Sequence, residues 1–251
     1  MLQCFPGICY CQLMEPDYTG MRLEELCFGS LLGHYGEKRD YCLDFITSKE
    51  EICSPRPLVL FLHGGGFSHH ADKRQWFIAR FARDFTNAGW AVAVPDYPVY
   101  ERRDEFREHS LEKACLKVSE AVEKALGYLE GRKEELSVDT SRLALAGASA
   151  GGMGAFYYLS SHPGVFRAFI NLWGVPWALP SLQLFPPTLS VHGTADPLVP
   201  YSLEGLAEAE FERLGIRHEL ITLEGARHTP IDRYGEFIPK VMEHLETARA
   251  F

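Results

Sequence analysis

The stretch that decides the fold is Arg142-Leu-Ala-Leu-Ala-Gly-Ala-Ser-Ala-Gly-Gly152, near the middle of a 251-residue chain. Its first half is a short apolar run, typical of a strand covered on both faces. Its second half contains Gly-x-Ser-x-Gly, formed by Gly147, Ser149 and Gly151. A serine on a sharp strand-to-helix turn needs such glycines, because larger side chains would collide with the backbone. The stretch therefore predicts a strand, an exposed serine and a helix.

The Gly-x-Ser-x-Gly pattern is a weak signal on its own. Composition alone gives roughly 0.1 chance matches in a chain like this. A glycine-rich turn that only packs closely, or one that cradles a phosphate, contains the same residues. A dinucleotide-binding turn would need Gly-x-Gly-x-x-Gly near the first strand, and Gly147–Gly151 does not supply that spacing.

Strand-like and helix-like segments alternate on both sides of this stretch. The strand-like runs are short and apolar at nearly every position: Leu58–Leu62, Trp90–Val94, Arg142–Ala146, Ala168–Leu172, Thr188–Val191 and Glu219–Leu223. Apolar residues recur at helical spacing within 76–86, 110–130, 152–161, 202–214 and 233–250. The alternation predicts an α/β fold, a mostly parallel, doubly wound sheet with helices on both faces.

The upstream part of the chain gives weaker signals. We expect an antiparallel edge strand over Arg39–Thr47 and an irregular segment over residues 1–30, which have no clean period. No repeat, low-complexity tract or Gly/Ser linker marks a boundary. We therefore predict a single domain over residues 1–251.

Composition excludes several classes of protein. The chain is 46% hydrophobic and 24% charged, ordinary for a globular domain, and its size requires neither disulfides nor a metal. A net charge of −9 argues against nucleic-acid binding, which needs a basic face. No uncharged apolar run approaches the ~18–20 residues of a membrane span. A soluble enzyme or binding protein is the expectation that remains.

The N-terminus and the cysteines predict a location. The first basic residue is Arg22, so we expect no signal peptide. Seven cysteines, an odd number, fit reduced thiols in the cytoplasm. A metal site at Cys4, Cys9 and Cys11 is the alternative, although no matching ligands follow at zinc spacing. We expect no metal and a cytoplasmic protein.

The carboxyl ends of the strands are where such sheets bind ligands. His63-Gly-Gly-Gly-Phe67 directly follows the first apolar run, and His-Gly-Gly-Gly has a chance expectation of about 0.007. Consecutive glycines cost backbone entropy on folding. A flexible loop is one explanation for the three consecutive glycines. Acyl transfer is another, because it uses bare N–H groups to bind an oxyanion.

Two further strand ends place an acid and a base. Asp196 follows Thr188–Val191, and His228 follows Glu219–Leu223. Each has an ordinary explanation. An Asp before Pro often only forms a turn, and a lone surface His is more often inert than catalytic. The chain order Ser149, Asp196, His228 is nevertheless that of a serine-hydrolase triad on this kind of sheet.

These motifs resemble the α/β-hydrolase family, specifically its esterase/lipase branch with a His-Gly-Gly-Gly loop, from about residue 38 to the C-terminus. The resemblance implies Ser149 as nucleophile, His228 as general base and Asp196 as the acid that orients it. It implies no cofactor.

The resemblance also implies an oxyanion hole formed by the N–H groups of Gly65, Gly66 and Ala150. The turn Pro95-Asp-Tyr97 resembles one that supports the glycine loop in relatives. Ala148 departs from the acidic residue usual before the nucleophile in the hormone-sensitive-lipase-like group. The segment Trp173–Pro187 is too short for that group's cap domain, so small carboxylesterases and feruloyl- or acetylxylan-esterase-like proteins are the nearer resemblance.

The expected function is hydrolysis of carboxylic esters with small to medium acyl or alcohol groups. An amide, peptide or thioester hydrolase on the same triad remains open, as does a non-catalytic ligand-binding protein of the same fold. The aromatic residues Phe67, Trp173 and Trp177 are predicted to line the substrate pocket. The alternative is that these rings simply cover the end of the sheet.

Overall fold

The elements follow one another in α/β order in a computed structural model, in which residues 15–50, 54–68, 72–101, 111–176 and 185–249 are described. The strands are β1 (Met21–Leu32), β2 (Lys38–Ser48), β3 (Arg56–Leu62), β4 (Ala91–Pro95), β5 (Val138–Ala148), β6 (Ala168–Leu172), β7 (Thr188–Gly193) and β8 (His218–Leu223). The helices are α1 (Trp76–Asn87), α2 (Leu111–Gly131), α3 (Lys133–Leu136), α4 (Ala150–Ser161), α5 (Ser202–Leu214) and α6 (Tyr234–Arg249), with a 3-10 turn at Ile231–Arg233.

The eight strands form one sheet in the order β1-β2-β4-β3-β5-β6-β7-β8. Strand β2 runs antiparallel to both of its neighbours, and the remaining pairs are parallel. Every residue of β4, β6 and β7 is buried, because helices cover both faces. One core lies beneath α1 and α6, and the other beneath α2, α4 and α5. The predicted doubly wound α/β fold is confirmed.

The N-terminal region differs from the prediction. Met21–Leu32, within and just beyond the segment expected to be irregular, is strand β1, and it occupies the edge of the sheet. Strand β2 is therefore second rather than at the edge. The sequence of β1 hides the strand because its register shifts between Cys27 and Gly29, so the inward and outward positions do not alternate evenly. Residues 1–14 lie outside the described ranges.

A disulfide joins Cys27 of β1 to Cys42 of β2. The antiparallel register places the two residues directly opposite each other, which no spacing in the sequence reveals. The expectation of reduced thiols is therefore wrong for this pair. Disulfides are typical of oxidising compartments, so the bond counts against the predicted cytoplasmic location. Cys115 is a free, buried thiol, and burial raises its pKa to about 12.

Two other expectations concern features that the structure covers only partly. The alternative metal ligands Cys4, Cys9 and Cys11 lie outside the described residues. Within the described ranges, no three or more His, Cys, Asp or Glu side chains are grouped to hold a metal ion. No helix in the same ranges has the length and hydropathy needed to cross a bilayer.

The disulfide predicts a measurable share of stability. Replacing both Cys27 and Cys42 by Ser should lower the free energy of unfolding by about 2–4 kcal/mol, because the bond closes a loop between residues 15 apart. Urea denaturation measures the change. Non-reducing peptide mapping should recover Cys27 linked to Cys42 and Cys115 as a free thiol. Alkylation of Cys27 and Cys42 without prior reduction would contradict the assignment.

Candidate active site

Ser149 stands between β5 and α4 in a strained backbone conformation. Its φ is 53° and its ψ −118°, and its N–H donates to the Leu172 carbonyl at 2.8 Å. Glycines make room for this turn. A Cβ on Gly151 would lie 2.2 Å from the Leu62 carbonyl oxygen, and one on Gly147 would lie 2.6 Å from the Gly151 carbonyl oxygen. The predicted strand–serine–helix turn is therefore present, and it holds Ser149 at the carboxyl edge of the sheet.

Two loops that follow β7 and β8 are joined to each other. The Ala195 N–H donates to the Ala226 carbonyl at 3.0 Å, and the Gly225 N–H donates to Thr194 Oγ1 at 2.8 Å. The backbones approach so closely that a Cβ on Gly193 would lie 2.3 Å from the Ala226 oxygen. This contact fixes the loop that carries the acid against the loop that carries the histidine.

The three residues predicted for the triad meet in one hydrogen-bonded row. Ser149 Oγ lies 2.9 Å from His228 Nε2, and His228 Nδ1 lies 2.6 Å from Asp196 Oδ2. The Asp196 side chain is fully buried, and the His228 side chain is 11% exposed. The carboxylate fixes the proton on Nδ1, which leaves the Nε2 lone pair facing the hydroxyl. The row can therefore take a proton from Ser149.

The Asp196 carboxylate is surrounded by four donors. Its Oδ1 accepts from the N–H groups of Leu198 at 2.8 Å and Val199 at 3.0 Å. Its Oδ2 lies 2.6 Å from His228 Nδ1 and 3.2 Å from His192 Nε2. Burial alone would raise the pKa of Asp196, but the hydrogen bonds from His192 and His228 outweigh burial and hold it well below its usual range. The acid stays ionised at any pH near neutrality.

The glycine loop lies beside the nucleophile. A Cβ on Gly64 would lie 3.5 Å from Ser149 Cβ, and the Gly64 N–H is already occupied by Gln75 Oε1 at 3.0 Å. Gly65 and Gly66 have φ values of 114° and 64°, which favour glycine. Among the described residues, no hydrogen-bond partner is found for either of their N–H groups. Of the three N–H groups, that of Gly64 is therefore the one with a recorded partner in the described part of the chain.

A turn after β4 supports the glycine loop. The Tyr97 hydroxyl donates to the His63 carbonyl at 2.6 Å, and the two rings stack with centroids 4.1 Å apart. The predicted support by the Pro95-Asp-Tyr97 turn is confirmed. Gln75 supports the loop from the other side, at the N-cap of α1. Sequence reasoning missed Gln75, because an isolated glutamine before a helix carries no distinguishing signal.

The aromatic residues predicted for the pocket are placed differently. Phe67 and Trp173 are each 1% exposed, with positive φ values of 54° and 48°. The Phe67 ring packs in the core beneath α2 and α4, and Trp173 packs against Phe77, with ring centroids 5.8 Å apart. Neither ring presents a surface to a ligand here, because both are packed in the core. Trp177 lies outside the described residues.

A second histidine contacts the acid. His192, at the end of β7, lies between Asp196 and Glu204 of α5, and its Nδ1 is 2.9 Å from Glu204 Oε1. The side chains of His192 and Glu204 are fully buried. The sequence placed His192 only at a strand end and gave Glu204 no role. They are twelve positions apart in the chain, so no local pattern indicates the contact.

Comparison with known proteins bears on the fold that carries this geometry. The BD-FAE family model, of α/β-hydrolase type, matches residues 43–158, slightly less than half of the chain. The match includes the glycine loop and Ser149 and ends before Asp196 and His228. No curated protein sequence matches the chain.

Solved structures extend the similarity over nearly the whole chain. MGS-M1, an α/β-hydrolase enzyme from a Medee basin deep-sea metagenome library, has a TM-score of 0.66 at 17% identity, covering 90% of this chain and 98% of its own. A bacterial heroin esterase has a TM-score of 0.67 at 19% identity, covering 92% and 86%. Thermogutta terrifontis esterase 2, phosphorylated by paraoxon, has a TM-score of 0.63 at 20% identity, covering 85% and 86%. The predicted α/β-hydrolase fold is confirmed.

The tight packing at Gly151 predicts a large effect of one methyl group. Gly151→Ala should lower the free energy of unfolding by about 1–3 kcal/mol, because its Cβ would overlap backbone atoms of β3. Gly127→Ala is the matched control, since nothing lies within 4 Å of a Cβ at that position of α2. That variant should gain up to about 1 kcal/mol from helix propensity. Equal effects of the two substitutions in urea denaturation would contradict the packing argument.

Proposed function

We propose that this chain, which has the α/β-hydrolase fold, is a serine esterase that cleaves carboxylic esters through a Ser149–His228–Asp196 triad and an acyl-enzyme. The observation that carries the proposal is the hydrogen-bonded row from the Ser149 hydroxyl to the buried Asp196 carboxylate. A serine hydroxyl is a poor nucleophile near neutral pH and needs such an adjacent base.

The first half of the reaction acylates Ser149. Its Oγ attacks the ester carbonyl carbon while His228 Nε2 takes the hydroxyl proton, and Asp196 stabilises the imidazolium that forms. The negative charge moves to the former carbonyl oxygen. The N–H groups of Gly65, Gly66 and Ala150 are the proposed donors to that oxygen, and one such donor contributes about 3–4 kcal/mol to lowering the barrier.

The second half restores the enzyme. The tetrahedral intermediate collapses, the bond to the alcohol oxygen breaks, and His228 returns its proton to that leaving oxygen. Water then attacks the acyl-enzyme with His228 again acting as base. The acid is released and Ser149 regains its proton. No step requires a group beyond the side chains and N–H donors named above.

Two observations support the proposed substrate, one for esters as a class and one for the size of their acyl or alcohol groups. Two of the structural neighbours are named as esterases. The connection between β6 and β7 runs only from Trp173 to Pro187, which leaves little chain at that point for a cap domain over the site. An open site favours esters with small to medium acyl or alcohol groups.

Replacing the nucleophile tests the proposal directly. Ser149→Ala should abolish hydrolysis of p-nitrophenyl acetate and butyrate, because Ser149 carries the hydroxyl that lies against His228 Nε2 in the described part of the chain. Ser160→Ala, near the opposite end of α4, is the matched control and should retain activity, since its hydroxyl only donates to the Tyr157 carbonyl. Circular dichroism checks that both variants are folded. Turnover that survives in the folded Ser149→Ala protein would overturn the proposal.

Covalent labelling provides an independent test. A paraoxon-treated sample should gain one diethylphosphoryl group, located by peptide mass spectrometry on the peptide that contains Ser149. The expectation follows from the activated hydroxyl, and the T. terrifontis esterase 2 neighbour is phosphorylated by the same reagent. Ser149→Ala should gain no mass. A label on any other residue would contradict the assignment of the nucleophile.

The pH dependence follows from the charges of the triad. The pKa of Asp196 is held well below its usual range, so this carboxylate keeps its charge throughout a titration from pH 4 to 9. Gaining a proton on the imidazole of His228 removes the base. Therefore kcat/KM should rise with pH along a single ionisation and reach a plateau. A profile that is flat from pH 4 to 9 would exclude a histidine base.

A further inference from the structure

His192 and Glu204 form a buried polar pair directly behind the acid of the triad. The imidazole is flanked by Asp196 Oδ2, 3.2 Å from Nε2, and by Glu204 Oε1, 2.9 Å from Nδ1. All three side chains are fully buried. Burying two carboxylates without partners is costly, and a histidine between them offsets that cost only if it supplies hydrogen bonds to both.

The neighbours of His192 determine where its protons lie. Nε2 is also 2.9 Å from the Val199 carbonyl, which can only accept, so Nε2 carries a proton. Nδ1 faces a carboxyl oxygen, so one further proton lies between Nδ1 and Glu204 Oε1. Burial alone would lower the pKa of His192, but its hydrogen bonds to Asp196 and Glu204 outweigh burial and raise it to about 9. Burial also raises the pKa of Glu204, and its hydrogen bond with His192 opposes that rise. Because the pKa of His192 is raised, we place the shared proton on the imidazole.

Other groups around the pair keep it in place. Asn171 Nδ2 lies 3.2 Å from Glu204 Oε1, and the Tyr201 ring meets His192 edge to face, with centroids 5.9 Å apart. The titratable and charged groups facing His192 are Asp196, Glu204, Tyr201 and, across Asp196, His228. Burial raises the pKa of Glu204, and the charge of Glu208, one turn further along α5, adds to that rise. With the shared proton placed on the imidazole, His192 puts a positive charge directly behind the acid.

We propose that His192, held by Glu204, is a positioning residue that fixes the orientation of the Asp196 carboxylate and tunes the basicity of His228. The inference rests on the proposed ester hydrolysis. Both histidines use the same oxygen of Asp196, since Oδ2 lies 2.6 Å from His228 Nδ1 and 3.2 Å from His192 Nε2. A positive charge on the far side of the carboxylate weakens its hold on a proton at His228. His228 is then free to release its proton to the leaving alcohol.

Removing the charge tests the role. His192→Gln retains a polar side chain but cannot be a cation. In this variant, the pH below which kcat/KM falls should be about one unit higher than in the wild type, because Asp196 then stabilises protonated His228 more strongly. The carboxylate also loses a fixed donor, so kcat on p-nitrophenyl butyrate should fall by up to about 100-fold with little change in KM.

A second variant changes the same charge from the other side. Glu204→Gln removes the carboxylate that holds the proton on His192 Nδ1, and it should move the pH profile in the same direction. His244→Gln is the matched control, because His244 is also buried and its recorded hydrogen bonds go to the backbone, at Pro187 and Phe169, and not to a carboxylate. This control should leave the pH profile in place. Thermal unfolding and circular dichroism identify any variant that fails to fold.

Nitrogen-15 NMR of labelled histidine gives a readout that needs neither activity nor a His192 variant. In the wild-type protein one buried histidine should keep both ring protons at pH 8. That signal should be lost in Glu204→Gln. If both variants fail to fold, the wild-type spectrum decides, since the absence of a doubly protonated histidine at pH 8 overturns the proposal.

The outcomes separate this inference from the proposed function. If folded His192→Gln and Glu204→Gln hydrolyse ester with the wild-type pH profile and kcat, and Ser149→Ala is inactive, the function stands and the role of His192 is wrong. If the wild-type protein shows no Ser149-dependent hydrolysis, the proposed function itself fails. A shifted profile in both variants, absent from His244→Gln, supports the positioning role.

Discussion

The left-handed backbone at Ser149 is the constraint on which the site depends. A non-glycine residue at φ 53° costs about 1–3 kcal/mol, and only the surrounding packing keeps it there. Helix α4 must begin immediately and must approach β3 until Gly151 meets the carbonyl of Leu62. That approach is also what brings the glycine loop, which continues β3, beside the nucleophile. One strained residue thus fixes the distance between the nucleophile and the proposed oxyanion donors.

Burial of charge is the second constraint, and the structure meets it by pairing. Asp196, His192 and Glu204 are fully buried, so removing any one partner would leave a costly unpaired group. This coupling means that the acid of the triad is not an isolated residue on a loop. It belongs to a network that reaches from β7 into α5. The position of Asp196 therefore depends on how that helix packs, as well as on the loop that contains it.

Local sequence patterns were sufficient to predict which residues meet at the edge of the sheet. Ser149, Asp196 and His228 each come after a short apolar run, and the parallel arrangement of those runs brings their ends to one edge. Helix and strand bounds deviate from the predicted ones by a few residues, except that the short helix α3 and strand β1 were not predicted. That strand is only partly buried and its register shifts at Cys27, so a period-two pattern is not visible. The disulfide was missed because it depends on pairing between strands.

Other features could not be predicted because they depend on contacts between distant segments or on backbone angles. The link between His192 and Glu204 exists only once α5 packs against the sheet. Phe67 and Trp173 have positive φ values, and their rings pack in the core. Of the aromatic residues predicted for the pocket, the two that the structure describes are buried in the core. The sequence pattern specifies which residue types lie near the site, and the turn geometry decides which of them face a ligand.

The glycine loop shows why strands without triad residues still matter to the site. An oxyanion hole works only if its donors are held in place before the charge develops, yet Gly65 and Gly66 have no side chains to anchor them. The loop is held instead through Gln75, whose Oε1 accepts the Gly64 N–H. Gln75 follows Arg74, which forms two hydrogen bonds to Asp44, a fully buried side chain of β2. Strand β2 is in turn held by β1 and the disulfide, so the antiparallel edge of the sheet stabilises the position of the proposed oxyanion donors.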